Sequence, residues 1–167
     1  MPQKITISVI GGSKINARVD SLAHKTGKIV AKVGAVLVCG GLNGVMMAAS
    51  RGAKEAGGMT IGLLPGKSKN DANPFIDIAL PTSIGFARNA MVACSADIIV
   101  ALPGSHGTRC EISYGLVYDR PVIDLGGWKI EGMIRAKNLK AAEAKIRSLM
   151  KGIRTQREKI HAGTARS

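Results

Sequence analysis

The chain has 167 residues, 46% of them hydrophobic and 21% charged, a composition that fits one folded domain and excludes a disordered chain. Aromatic residues make up only 3%, so the core must consist of Ala, Val, Ile, Leu and Met. No apolar run approaches the roughly 20 residues that a membrane-spanning helix needs. Three cysteines without a CxxC pair indicate neither a disulfide framework nor a metal site, and we therefore expect a cytoplasmic protein.

The net charge is +13, and the excess of Lys and Arg is concentrated after residue 128. A basic C-terminal segment attracts nucleic acid or acidic partners. The solvated face of a helix accounts for the same charges without any partner. The sequence leaves both interpretations open.

Short apolar runs alternate with amphipathic segments along the chain. In chain order they predict a strand at 4–10, a helix at 16–34, a strand at 35–39, a helix at 45–57, strands at 59–65 and 75–81, a helix at 85–96, a strand at 97–103, a helix at 110–119, a strand at 120–126 and a long basic helix at 138–160. This alternation is typical of a Rossmann-like α/β fold in three layers, with a mostly parallel sheet and helices on both faces.

Three segments are expected along the chain. Residues 1–128 form the Rossmann-like core. Residues 129–160 carry the basic C-terminal helix, which packs on the core or on a partner subunit through its Leu and Ile face. Residues 161–167 are expected to be a disordered tail.

Two glycine-rich bends, 40–44 ("GGLNG") and 104–108 ("GSHGT"), each follow a predicted buried strand and precede a helix. Because the carboxyl ends of parallel strands share one edge, we expect both bends at the ligand-binding edge of the sheet. Glycines let the backbone approach an anion, and a helix N-terminus offers unpaired N–H groups. A plain strand-to-helix turn is the alternative. The candidate phosphate-binding residues at this edge are Gly11, Gly12, Ser13, Gly40, Gly41, Gly44, Val45, Met46, Thr82, Asn89, Pro103, Gly104, Ser105, His106, Gly107 and Thr108.

Two charged residues are the candidate catalytic groups. Glu111 is predicted in the first turn of a helix, where the helix dipole favours an acid whether or not it acts on a ligand. Arg88 begins the preceding helix, where it clamps a phosphate, pairs with Glu111 or lies on the surface. Thr108 is a candidate cap for the following helix, and Cys110 is expected to be a small packing residue.

The segments "GGLNGVMMAASRGAKEAGGMTIGLLP" and "RNAMVACSADIIVALPGSHGTRCE" resemble the Lonely Guy (LOG)-like, or SLOG, superfamily. Its hallmark is an Arg-bearing helix followed by P-G-G-x-G-T-x-x-E. The branch that the chain most resembles is that of molybdenum cofactor carrier proteins. This resemblance implies a Rossmann-like homodimer or homotetramer, with Arg88 and Glu111 in the positions that serve hydrolysis of nucleoside 5′-monophosphates in Lonely Guy enzymes.

The resemblance implies a carrier for a phosphate-bearing ligand, either a nucleotide monophosphate or the molybdenum cofactor, with no other cofactor required. A phosphoribohydrolase that cleaves the N-glycosidic bond is the alternative, and nucleic-acid binding through the basic tail ranks third. Gly104, Gly107 and Thr108 would hold the phosphate. Ser105 stands where the family has glycine, and a positive φ at that position would cost roughly 1 kcal/mol or more.

Overall fold

The computed structural model describes residues 3–164 and contains one seven-stranded sheet in the order β4-β3-β2-β1-β5-β6-β7. All neighbouring strands pair in parallel. The strands are β1 Thr6–Ile10, β2 Val36–Cys39, β3 Thr60–Leu64, β4 Ile78–Pro81, β5 Ile98–Ala101, β6 Val122–Asp124 and β7 Ile134–Arg135. The helices are α1 Ala17–Lys32, α2 Val45–Glu55, α3 Arg88–Cys94, α4 His106–Val117 and α5 Leu139–Thr164.

Helices cover both faces of the sheet, which confirms the three-layer Rossmann-like fold. One buried cluster joins α1, α2 and α5 to one face through Val30, Ala49 and Ile146. A second cluster joins α3 and α4 to the other face through Val92 and Ile112. The central strands β1, β2 and β5 are almost completely buried, as expected for strands covered on both faces.

The strand order reverses at β1. The chain moves outward from β1 through β2 and β3 to β4, then returns to lay β5 on the other side of β1. In open α/β sheets, the crevice at the carboxyl ends of the two strands flanking such a reversal is the usual ligand site. The segments that follow β1, β2 and β5 are therefore brought together at this crevice.

Several element boundaries differ from the predictions. Helix α4 begins at His106, four residues earlier than predicted, and residues 85–96 divide into a 3₁₀ turn at Gly85–Ala87 followed by α3. The two-residue strand β7 was not predicted. Helix α5 continues four residues past the predicted end at 160, and residues 165–167 of the predicted disordered tail lie outside the described residues. Within residues 3–164, no helix is both long enough and apolar enough to cross a bilayer.

Helices α1 and α2 approach each other at the distance of direct backbone contact. A Cβ on Gly27 would overlap the carbonyl oxygen of Ala49, and a Cβ on Gly52 would overlap that of His24. The ion pair between Arg51 and Asp20 joins the same two helices at 2.7 Å. This contact sets how closely α2, and the bend that precedes it, lies against α1.

We predict that Gly27→Ala destabilises the protein by about 3 kcal/mol, at the upper end of overpacking costs, because the new methyl group meets a carbonyl oxygen. For a domain of this size that loss corresponds to a fall of roughly 6–12 °C in Tm. The matched control is Gly152→Ala in α5, where nothing lies within 4 Å and the change should stabilise by about 0.5–1 kcal/mol. Thermal unfolding of both variants measures the difference, and an unchanged Tm for Gly27→Ala would contradict the packing argument.

Candidate functional site

Gly12 joins the three bends that follow β1, β2 and β5. Its amide donates to the carbonyl of Pro103 at 3.0 Å, and its carbonyl accepts from the amide of Val45 at 2.9 Å. A Cβ on Gly12 would lie only 3.4 Å from the Cα of Gly104. The predicted convergence of bends 40–44 and 104–108 at one edge of the sheet is therefore what the structure shows, with the bend after β1 between them.

Glycine is required at two of these contacts. Gly44 has a φ of +68°, and a Cβ there would overlap the carbonyl oxygen of Gly12. A Cβ on Gly104 would overlap the hydroxyl of Thr108 and lie 2.9 Å from the amide nitrogen of Gly12. Any larger residue at either position would push the bends apart.

A cavity of about 420 Å³ opens between the first and third bends. Residues 12–16 line one side of it and residues 103–105 line the other. Helix α4 begins at His106 beside this cavity, so the amides of its first turn have no carbonyl partner within the helix and its positive dipole end lies there. We call residues 12–14 and 103–106 the anion cradle.

Ser105 fits the cradle without strain. Its backbone is extended, with φ −130° and ψ −151°, so the expected cost of a positive φ at this position is absent. Ser105 occupies the N-cap position that was proposed for Thr108, yet its side chain makes no capping hydrogen bond. Ser13, Ser105 and His106 are all exposed at the rim of the cavity, where their polar side chains are available to a ligand.

The bend after β2 lies behind the cradle. The Val45 amide at the start of α2 already donates to Gly12, and Val45 and Met46 are buried. A Cβ on Gly11 would lie 2.7 Å from Val45, so these residues pack on each other. The structure thus gives the glycines of this bend a packing role, and direct ligand contact by residues 40–46 stays a prediction.

Thr82 lies apart from the cradle, at the far edge of the sheet after β4. Its hydroxyl donates to the carbonyl of Leu64 at 2.8 Å, and its amide bonds to the same oxygen at 2.9 Å. The structure therefore gives the Thr82 hydroxyl a local partner, and ligand contact by this residue stays a prediction.

Arg88 and Glu111 meet in the interior, where α3 packs against α4. The Nη1 of Arg88 lies 3.8 Å from Oε1 of Glu111, and each residue is only 6% exposed. Arg88 also donates through Nη2 to the carbonyl of Gly40 at 3.2 Å and through Nη1 to the side chain of Asn89. The interpretation of Arg88 as a surface residue is wrong, because its guanidinium ties bend 40–44 to α3 and α4.

The interpretation of Glu111 as a helix-start carboxylate is also wrong. Because α4 begins at His106, Glu111 falls in the second turn and points inward. Thr108, one turn earlier on the same face, is 3% exposed and packs against Gly104. Neither Arg88 nor Glu111 lines the cradle cavity. Cys110 is exposed and not a buried packing residue.

The buried environment shifts the pKa values of both residues of this pair. Burial raises the pKa of Glu111 to about 8, and the nearby Arg88 opposes this rise only in part. Burial also lowers the pKa of Arg88, although Glu111 counteracts that shift. The Nε of Arg88 is buried without a hydrogen-bond partner in the described chain. A buried cation with an unused donor favours an anion nearby.

Sequence reasoning missed the residues that extend this edge. Lys14, within the cradle, and Asn16, next to it, both line the cradle cavity. Asp124, at the end of β6, accepts hydrogen bonds from the backbone amides of residues 126–129 and fixes the loop there. The "DLGGW" pattern at the end of the strand predicted at 120–126 was the available signal, because a short acidic side chain followed by glycines is typical of such a turn.

The fold and the cradle define the class: a Rossmann-like α/β protein whose candidate anion site lies at the switch point of its sheet. The chain belongs to the SLOG cluster4 family, whose model matches residues 4–156. The predicted resemblance to the SLOG superfamily is therefore confirmed.

Solved structures agree with this assignment. The molybdenum cofactor binding protein from Rippkaea orientalis is 32% identical with a TM-score of 0.84, over 89% of this chain and 98% of that one. The molybdenum cofactor carrier protein from Chlamydomonas reinhardtii is 33% identical with a TM-score of 0.82, over 89% of this chain and 99% of that one. DNA processing protein A from Helicobacter pylori, at 17% identity and a TM-score of 0.66, covers 86% of this chain and 80% of its own and shares the fold alone.

We predict that the free energy of unfolding falls as the pH rises from about 4.5 to about 8, with Glu111 as a main contributor. The pKa of Glu111 is raised to about 8 in the folded protein from 4.5 in the ordinary case, so the folded state holds a proton that the unfolded state has released. Stability is lost with rising pH wherever the folded state binds more protons. Urea unfolding at several pH values measures this slope.

The matched control for this prediction is Glu111→Gln, which keeps the shape of the side chain and cannot ionise. Its unfolding free energy should lack the Glu111 contribution and depend less on pH between 4.5 and 8. Equal slopes in the two proteins would contradict the assigned protonation state.

Proposed function

We propose that the protein binds a phosphate-bearing ligand, a nucleotide-like or pterin compound, in the anion cradle, as a member of the molybdenum cofactor carrier type. The observation that carries the proposal is the cavity bounded by Gly12 and Gly104, with the free amides of the first turn of α4 beside it. Such amides and the helix dipole favour an anion. The similarity to two molybdenum cofactor binding proteins over nearly their whole length supports the ligand class.

The cradle fits the phosphate of a molybdenum cofactor. Gly12 and Gly104 line the cavity with backbone alone, and the exposed hydroxyls of Ser13 and Ser105 offer donors. No cluster of His, Cys, Asp or Glu able to hold a metal ion occurs among residues 3–164. The protein would therefore hold such a cargo through its phosphate and ring, with the metal supplied by the cargo itself.

A phosphoribohydrolase is the second candidate function, and the Arg88–Glu111 pair favours it. The two side chains are 3.8 Å apart, and the Lonely Guy resemblance implies that their counterparts serve hydrolysis of nucleoside 5′-monophosphates. One observation weighs against turnover: neither residue lines the cradle cavity. Burial acts in the same direction, because it raises the pKa of Glu111 to about 8 and so favours the protonated carboxyl. A protonated carboxyl stabilises developing positive charge poorly.

We also propose that the protein is a homo-oligomer, with a second copy covering the face formed by α3 and α4. Large apolar side chains are exposed on these helices and on the turn before them, with Phe86 88% and Val117 73% exposed. Apolar side chains grouped in this way mark an interaction surface more often than a solvated one. The superfamily resemblance supplies the occupant, because it implies a homodimer or homotetramer.

We predict that Phe86→Asp shifts the protein toward the monomer, because a charge there would be buried without a partner in the assembled state. Sedimentation equilibrium measures the mass relative to the 17.4 kDa chain. Lys151→Glu, an exposed change on α5, serves as the control that should leave the assembly intact. A wild-type protein that sediments as a monomer at all concentrations would refute the oligomer.

For the ligand, we predict that Gly104→Ala lowers affinity at least ten-fold, because the added methyl separates the first and third bends. Native mass spectrometry of the protein as purified first identifies any bound phosphate ester. Isothermal titration with AMP and GMP then gives Kd for the wild type, Gly104→Ala and the control Gly152→Ala. Ser105→Ala serves as the second test if Gly104→Ala proves unstable. It removes one hydroxyl without altering the backbone and should weaken binding several-fold.

The same samples separate binding from turnover. Release of free base from AMP or GMP, abolished in Glu111→Gln, would support the phosphoribohydrolase. Binding without release supports the carrier. Absence of any bound phosphate ester, together with no measurable affinity for either nucleotide, would overturn the cradle as a phosphate site.

A further inference from the structure

A groove continues from the anion cradle along the carboxyl edge of the sheet, on the side of α1. Next to the cradle cavity lies a second cavity of about 450 Å³, and Asn16 and Pro103 line both. A third cavity of about 360 Å³ follows, and Arg18 and Lys137 line both it and the second. We call the second and third cavities together the basic groove.

Cationic side chains dominate this groove. Arg18 and Lys25 project from α1, while Arg135 and Lys137 lie on β7 and just after it; all four are exposed. None of the four forms an ion pair with another residue in the described part of the chain. Lys14, in the adjoining cradle cavity, adds a fifth unpaired cation.

The one acidic residue that lines the groove, Asp124, forms no ion pair with these cations in the described part of the chain. Both carboxylate oxygens of Asp124 are engaged by backbone amides, at 2.7–3.2 Å. The carboxylate is therefore committed to holding the loop at 126–129. The four unpaired cations outnumber this one carboxylate, so the groove keeps a net positive charge.

Two helices also begin at the groove. Asn16 caps α1, where its side chain accepts from the amide of Val19 at 3.0 Å. Asn138 caps α5 by accepting from the amide of Ala141 at 2.9 Å. The positive ends of two helix dipoles thus add to the side-chain charges at one place. A single phosphate in the cradle would leave this second concentration of positive charge without a counter-ion.

We propose that the basic groove binds a second phosphate of the same ligand, so that the ligand class is a dinucleotide with one phosphate in the cradle and the other beside Arg135 and Lys137. This inference rests on the proposed function of the cradle. The cradle cavity of about 420 Å³ has the size of a site for one nucleotide, and the adjoining groove provides a second of similar size. Open α/β sheets bind ligands in the crevice at the switch point, and the Rossmann folds among them bind dinucleotides across it.

The test compares mononucleotides with dinucleotides on the intact chain. Kd is measured by isothermal titration for AMP and GMP, and for diadenosine and diguanosine 5′,5′-diphosphate. We expect the better dinucleotide to bind at least ten-fold more tightly than its mononucleotide. The double variant Arg135→Gln/Lys137→Gln should abolish that difference and leave mononucleotide affinity unchanged.

The charge-matched control is Lys151→Gln/Arg154→Gln on α5, which removes the same two charges away from the groove and should keep the dinucleotide preference. Equal affinity for both ligand classes in the wild type would overturn the dinucleotide assignment while leaving the cradle intact. The dinucleotide assignment would also be overturned if Arg135→Gln/Lys137→Gln lowered the affinity for mononucleotides and for dinucleotides by the same factor.

Two further outcomes would also overturn the assignment. If a ten-residue oligothymidylate binds more tightly than either dinucleotide and loses affinity in the groove variant, the groove serves single-stranded nucleic acid. If neither class of nucleotide binds at all, the cradle proposal fails first and this inference fails with it.

Discussion

The candidate site depends on one constraint, the contact of backbone with backbone at Gly12. The strands β1, β2 and β5 end side by side, and the bends after them can interlock only if no side chains intervene. Gly44 and Gly104 both present bare Cα atoms to the bend at Gly12, and the Gly12 amide and carbonyl bond to the third and second bends respectively. The hydrogen bonds fix the spacing of the bends, and the spacing brings the start of α4 to the cavity. Pre-organised amides of this kind require little rearrangement when an anion arrives.

The Arg88–Glu111 pair has a structural consequence that is independent of any catalytic role. The Arg88 guanidinium bonds to the carbonyl of Gly40, so it fixes the second bend to the layer formed by α3 and α4. Taking such a group out of water costs several kcal/mol, and Glu111 at 3.8 Å compensates only in part. The buried Nε of Arg88 has no hydrogen-bond partner in the described residues, which adds a further unfavourable desolvation free energy.

The sequence predicted the order and type of the elements well, because parallel strands buried on both faces appear as short, wholly apolar runs such as residues 35–39 and 97–103. It predicted the edge on which the bends meet for the same reason. The sequence did not predict the features that tertiary contacts determine. The start of α4 at His106 and the inward orientation of Glu111 depend on the packing of Thr108 against Gly104, which spacing does not reveal. The two-residue strand β7 is too short to show a period, so the groove beside it was missed.

The protonation of Glu111 gives a physical reason to prefer binding over turnover. Hydrolysis of an N-glycosidic bond develops positive charge on the ribose, and only an ionised carboxylate stabilises that charge well. Burial raises the pKa of Glu111 to about 8, so at neutral pH most molecules carry the protonated form. A phosphate bound in the cradle adds negative charge nearby and raises that pKa further. A bound phosphate ester would therefore favour the protonated carboxyl of Glu111 further, which is the form less suited to stabilise a cationic ribose.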